Sequence, residues 1–186
     1  MATGRGKEGM PDCHFRPSWS PDGQWIAFSS DRDTTWTGHD EGHGWEHTQE
    51  CSIYIIRPDG TGFRKVSSRP GYCQGSPKWS PDGKRIVFTR RREDNNYDVY
   101  TIRPDGTGLF RCTDHPSSDG HAVWSADGRI MWSGSQHGFR DEAALYDQTF
   151  QQYGQIYIMN ADGTSKRMQT DSKWEDSMPL YVPGGT

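Results

Sequence analysis

Four polar residues recur at one place in a repeated pattern: His14, Gln74, Asp119 and Asp176 each stand five positions before an aromatic residue. Together they offer several oxygen donors and one imidazole. That set suits a divalent cation, with Ca, Mn and Zn as the candidates. Two positions further on stand Arg16, Ser76, His121 and Met178. Arg16 is a natural contact for an anionic ligand. His121 is the candidate general base, since an imidazole exchanges a proton near neutral pH. The alternative for both sets is the polar lining that any water-filled channel needs.

A second group lies in the segment DRDTTWTGHDEGHGWEHTQE, from Asp31 to Glu50, where His39, His43 and His47 recur at every fourth residue. On a helix that spacing would align three imidazoles as metal ligands. Gly38, Gly42 and Gly44 oppose a helix, so an ordered loop anchored by Trp36 and Trp45 is expected. It either packs as a polar loop or holds a metal or an anionic ligand. A third segment, Ser135 to Gln155, carries RDEAALY, which is expected to form one or two helical turns. Arg140 and Glu142 there either contact a ligand or form a surface ion pair. No Ser-His-Asp order, phosphate loop or paired zinc-type cysteines is present. Cys13, Cys51, Cys73 and Cys112 read as buried free thiols, or as disulfides in a secreted protein.

The elements that must position these residues are repeats. PSWSPDGQWIAFSS (Pro17 to Ser30), PKWSPDGKRIVFTR (Pro77 to Arg90) and AVWSADGRIMWSG (Ala122 to Gly134) form one series. SIYIIRPDGTGFRKVS (Ser52 to Ser67), DVYTIRPDGTGLFRCT (Asp98 to Thr113) and QIYIMNADGTSKRMQT (Gln155 to Thr170) form another, and the two alternate. Each reads as a β-hairpin: an apolar alternating run, an Asp-Gly turn, and a second run. Two hairpins make a four-stranded antiparallel propeller blade. The expected organisation is one β-propeller segment over residues 1–186. Its blades fall at about 13–68, 73–113 and 118–170, and a partial fourth first strand at 178–182.

Length variation lies only between the second and third strands. Trp19 to Asp59, Trp79 to Asp105 and Trp124 to Asp162 span 40, 26 and 38 residues. The inserted loops and the entries to the first strands therefore share one face. All seven histidines fall on that face, which is where ligands are expected. Trp19, Trp79 and Trp124 are expected at equivalent sites between blades, with Phe28, Phe88 and Trp132 beneath them.

The run WSPDG followed by an apolar strand, then IYIxxxDGT and a strand ending in Thr, resembles the TolB-type (WD-like) β-propeller repeat. The resemblance covers nearly the whole chain, three times over. It implies a periplasmic or secreted binding or assembly scaffold. A weaker similarity, by residue type and location only, connects the channel set to oligogalacturonate-lyase-type propellers. That similarity implies metal-assisted cleavage of acidic sugars, with His121 as base and His14 or Asp119 as ligand. The sequence leaves scaffold and enzyme both open.

Composition narrows the partners. The net charge of −4 favours neither nucleic acid nor an anionic membrane. No run approaches the roughly 20 apolar residues of a membrane span, and Met1 to Met10 is polar, unlike a signal peptide. A protein or carbohydrate ligand remains. Only three leucines stand against eight tryptophans and eight tyrosines, which opposes a helix bundle. Closed propellers need about four to eight blades, so three blades are expected to close as a six-bladed ring by homodimerisation. The other reading is a fragment of a longer propeller.

Overall fold

The structure is a computed structural model and describes residues 13–33, 50–94, 96–136, 154–171 and 176–181. Among the described residues, twelve strands form three four-stranded antiparallel sheets. The first contains β1 (His14–Trp19), β2 (Ile26–Ser30), β3 (Ser52–Ile56) and β4 (Arg64–Ser67). The second contains β5 (Gln74–Trp79), β6 (Ile86–Arg91), β7 (Tyr97–Ile102) and β8 (Phe110–Arg111). The third contains β9 (Asp119–Trp124), β10 (Ile130–Gly134), β11 (Gln155–Met159) and β12 (Arg167–Met168). Each sheet keeps its strands in chain order. No helix occurs among the described residues, and the RDEAALY segment lies outside them.

The turns form where the sequence places Asp-Gly. In the first, Ser20 Oγ donates to Asp22 at 2.5 Å and the Gly23 N–H donates to the Ser20 carbonyl at 2.9 Å. Gly23 sits at φ +68°, a conformation that costs glycine nothing. The second hairpins use Asp59, Asp105 and Asp162, each accepting from the backbone N–H and hydroxyl of the threonine two residues on. These hydrogen bonds hold all three carboxyls below the usual carboxylate range.

Strand alternation then fixes how the sheets stack. Ala27, Ile53 and Ile55 of the first sheet meet Trp79, Ile86, Phe88 and Ile102 of the second. Val87, Val99 and Cys112 on the other side of the second sheet meet Trp124, Ile130, Trp132 and Tyr157 of the third. Every sheet thus carries an aromatic pair on the same face, which in the second and third sheets is turned towards the sheet before. The pairs are Phe28 with Tyr54, Phe88 with Tyr100 and Trp132 with Tyr157, their ring centroids 5.9, 6.0 and 5.3 Å apart.

Trp79 and Trp124 are buried between sheets, as the repeat requires. Trp19 is not: 58% of its surface is exposed. No described sheet precedes β1, so Trp19 has no counterpart among the described residues to the first sheet that covers Trp79. The outward face of the first sheet is an aromatic layer of Phe28, Tyr54 and Phe63, roofed by Arg32 over Phe63 and Lys65 over Tyr54. Beyond the third sheet, Asp176 donates its N–H to the Gly154 carbonyl at 2.9 Å. Gln74 makes the same bond to Cys51 at 3.1 Å. The residues after Asp176 therefore follow the path of a first strand, although no ladder forms there.

Candidate functional site

All three first strands carry the same irregularity. Phe15 pairs with Ser29 and Ser18 with Ala27, so Arg16 and Pro17 together oppose Phe28. In β5 the extra pair is Ser76 and Pro77, opposite Phe88; in β9 it is His121 and Ala122, opposite Trp132. Two residues against one is a β-bulge, a device that re-aims a side chain. The leading bulge residue adopts left-handed backbone in each case: Arg16 at φ 56°, Ser76 at 54°, His121 at 50°. Met178, the fourth in the series, has φ 54°. Left-handed backbone costs a non-glycine residue roughly 1–2 kcal/mol. Three such residues at equivalent sites mark a place where side chain was kept at the expense of backbone ease.

The first strands pack one beside the next, β1 on β5 and β5 on β9. This brings together residues far apart in sequence. Arg16 Nη1 donates to Ser76 Oγ at 2.6 Å, across 60 residues. His121 lies near enough to Arg16 to feel its charge. Burial, then that guanidinium, pushes the His121 imidazole below its ordinary value, so it is neutral at pH 7. Its Nδ1 is buried and has no hydrogen-bond partner among the described residues. The row thus presents an exposed guanidinium, a hydroxyl, and a neutral ring with a free nitrogen. It contains one cationic group and no carboxylate, which suits an anion.

The set His14, Gln74, Asp119 and Asp176 is placed differently. Gln74 and Asp119 are fully buried, each in its own seam between sheets. Ser67 Oγ donates to Gln74 Oε1 at 2.7 Å, tying the first sheet to the second. The Trp132 indole N–H donates to Asp119 Oδ1 at 3.0 Å. His14 is exposed, with Nδ1 2.9 Å from Ser30 Oγ and its ring edge-on to Phe28. Among the described residues, no group of three or more His, Cys, Asp or Glu stands close enough to hold a metal ion. His39, His43, His47, Arg140 and Glu142 lie outside the described residues.

Asp119 nevertheless titrates unusually. Burial pushes its carboxyl up to about 6, against hydrogen bonds from Thr113 and Trp132. Buried Asp98 adds repulsion, although Arg111 pairs with Asp98 at 2.8 Å. A carboxyl raised in the folded state favours folding most below its unfolded value of 3.8, and that contribution is lost as pH rises through about 6. Asp119→Asn keeps the acceptor for Trp132 and removes the ionisation. Urea denaturation at pH 5 and pH 8 should show the variant gaining on the parent at pH 8, on the order of 2 kcal/mol. Equal pH dependence in the two proteins would refute the assignment.

Sequence reasoning singled out Arg16 and His121 but missed their bulge. The only signal was the shared offset from the strand aromatic, because the glycine that usually marks left-handed backbone is absent.

The chain was compared with known proteins on this footing, and no protein-family model matches it. It is 38% identical over 73 residues to "Uncharacterized peptidase YuxL" of Bacillus subtilis, 39% of this chain and 9% of that protein. It is 38% identical over 77 residues to "Tol-Pal system protein TolB" of Alcanivorax borkumensis, 41% of this chain and 14% of that one. The chain therefore matches only a small share of either relative. Among solved structures, TolB from Acinetobacter baumannii superposes with a TM-score of 0.59 at 22% identity, over 86% of this chain and 33% of that one. Puromycin hydrolase gives 0.63 at 15%, over 90% and 23%. Oligogalacturonate lyase in complex with manganese gives 0.58 at 13%, over 83% and 41%. Sequence and fold agree on similarity to TolB and to other propeller-type proteins.

Proposed function

We propose that this chain is part of a TolB-like β-propeller binding scaffold that holds a carboxylate-bearing ligand against the bulged first strands. One observation carries the reading: Arg16, Ser76 and His121, at the same strained position of three repeats, converge in one row, Arg16 bonded to Ser76 at 2.6 Å. Arg16 Nη2 and Nε face the carboxylate, Ser76 orients the guanidinium, and the neutral His121 ring supplies a hydrogen bond from the next strand. The ligand is a protein carboxylate or an acidic sugar. The metal-dependent lyase is the weaker reading, because a guanidinium beside His121 suits an anion and repels a cation.

Oligomer state belongs to the same proposal. A second copy of this chain covers the outward sheet faces and closes a six-bladed ring of two three-bladed halves.

NMR of the His121 ring tests the ligand reading, with digalacturonate, a peptide with a free C-terminal carboxylate, and their neutral counterparts as probes. The acidic probes should move the ring signals saturably and the neutral ones should not. Arg16→Gly suits the backbone at φ 56°, so the variant should melt within a few degrees of the parent. Its affinity should fall about tenfold or more, the usual loss when a charge-assisted bond is removed. Equal binding by Arg16→Gly, or equal response to neutral probes, would count against the site.

A further inference from the structure

Three of the four cysteines meet at one seam, and the fold brings them there. Cys13 immediately precedes β1, Cys51 precedes β3 and Cys73 precedes β5. In antiparallel sheets those three entries lie at the same end. Cys13 donates its N–H to the Asp31 carboxylate at 2.8 Å, which fixes it at the exit of β2. The Gln74 N–H donates to the Cys51 carbonyl at 3.1 Å, so Cys73 lies against the start of β3. One such backbone bond holds neighbouring Cα atoms roughly 5–6 Å apart, the separation a disulfide spans. The two thiols are themselves hydrogen-bonded. At the seam between the second and third sheets, the same places are held by Tyr97 and by Ser118, whose hydroxyl meets Asn96 at 3.1 Å. The thiol pair is therefore particular to the seam between the first and second sheets.

We propose that Cys51 and Cys73 form a reversible disulfide that staples β3 of the first sheet to the entry of β5 in the second. Access differs along the cluster: Cys13 is exposed, Cys73 half-buried and Cys51 buried. The Cys73 thiolate attacks a low-molecular-weight disulfide such as glutathione disulfide. One glutathione thiolate leaves, and a mixed disulfide remains on Cys73. Cys51 then loses its proton and attacks the Cys73 sulfur, expelling the second thiolate. Two cysteine thiols are oxidised, one disulfide is reduced to two thiols, and the two released protons go to those thiolates. The hydrogen bond to Cys73, then burial, raise the Cys51 thiol well above its usual value. Cys112, buried between the second and third sheets, takes no part.

The test uses the full chain under native conditions with glutathione disulfide, followed by alkylation, trypsin and mass spectrometry. The expected product has lost two hydrogens and links the peptides containing Cys51 and Cys73, with Cys112 alkylated. The melting temperature should rise on the order of 5–10 °C and return on reduction. Cys13→Ser should keep both effects and Cys73→Ser should lose both. Should Cys73→Ser fail to fold, linkage in the parent chain decides the question alone. Four free thiols after oxidation, or a dominant bond through Cys112, would overturn the proposal.

Discussion

Trp132→Ala is expected to destabilise the protein by about 3–5 kcal/mol, the range for a fully buried aromatic. Trp132 has no exposed surface. It stacks on Tyr157 at 5.3 Å, fills the seam with Val87 and Val99, and donates its indole N–H to Asp119. Alanine removes all three contributions and leaves a buried carboxyl with one donor fewer, which adds to the cavity term. Trp132→Phe separates them: it keeps most of the packing and loses the hydrogen bond, so its cost should fall near 1–2 kcal/mol. Trp19→Ala is the internal control. Its side chain is mostly in solvent and should cost under about 1 kcal/mol in the isolated chain. Urea denaturation of the three variants checks this. A loss below about 1 kcal/mol for Trp132→Ala would mean that the seam is not packed as described.

That contrast shows what the sequence could and could not reveal. The hairpins were legible, because Ser-Pro-Asp-Gly and Asp-Gly-Thr encode their turns through local hydrogen bonds within a few residues. The alternation of Ile26, Ala27 and Phe28 gave the faces, since side chains on a strand point to opposite sides by turns. Repeat equivalence gave Trp79 and Trp124 their buried sites but misplaced Trp19. Burial depends on the neighbouring sheet, which a residue's own repeat does not specify. The channel set illustrates a related point. Gln74 and Asp119 have the residue types of metal ligands, but Ser67 engages Gln74 across a seam and Trp132 engages Asp119 within the third sheet. The Arg16–Ser76 contact spans 60 residues and depends on a bulge that no glycine announces. The inserted loops, with His39, His43, His47, Arg140 and Glu142, stay expectations of the sequence.

Sedimentation of the purified chain at micromolar concentration is expected to show a particle of twice the 21.2 kDa chain mass. The reason is the mismatch between inner and outer seams. Where two described sheets meet, a strand-end tryptophan is buried: Trp79 by the first sheet, Trp124 by the second. Trp19 has the same place on its strand and is left in solvent. On the far side of the third sheet stand Ile156 and Ile158 of β11, already buried within the chain, and Met131 of β10, at the places Ile53 and Ile55 hold in the first sheet. In the proposed dimer, the third sheet of one copy receives the Trp19 side of another. Two such contacts about a two-fold axis close the ring and leave no open seam. Each docking would bury Trp19, and a buried tryptophan is the kind of anchor that dominates interface energy. Charge placed at the contact should break it: Trp19→Glu should raise the dissociation constant at least about 100-fold. Trp19→Glu should leave the β-sheet circular dichroism intact, because Trp19 supports no core within its own chain. A folded, monodisperse monomer of the parent at the same concentration would rule out the closed ring. The outward faces would then await blades from another chain or from a longer form of this one.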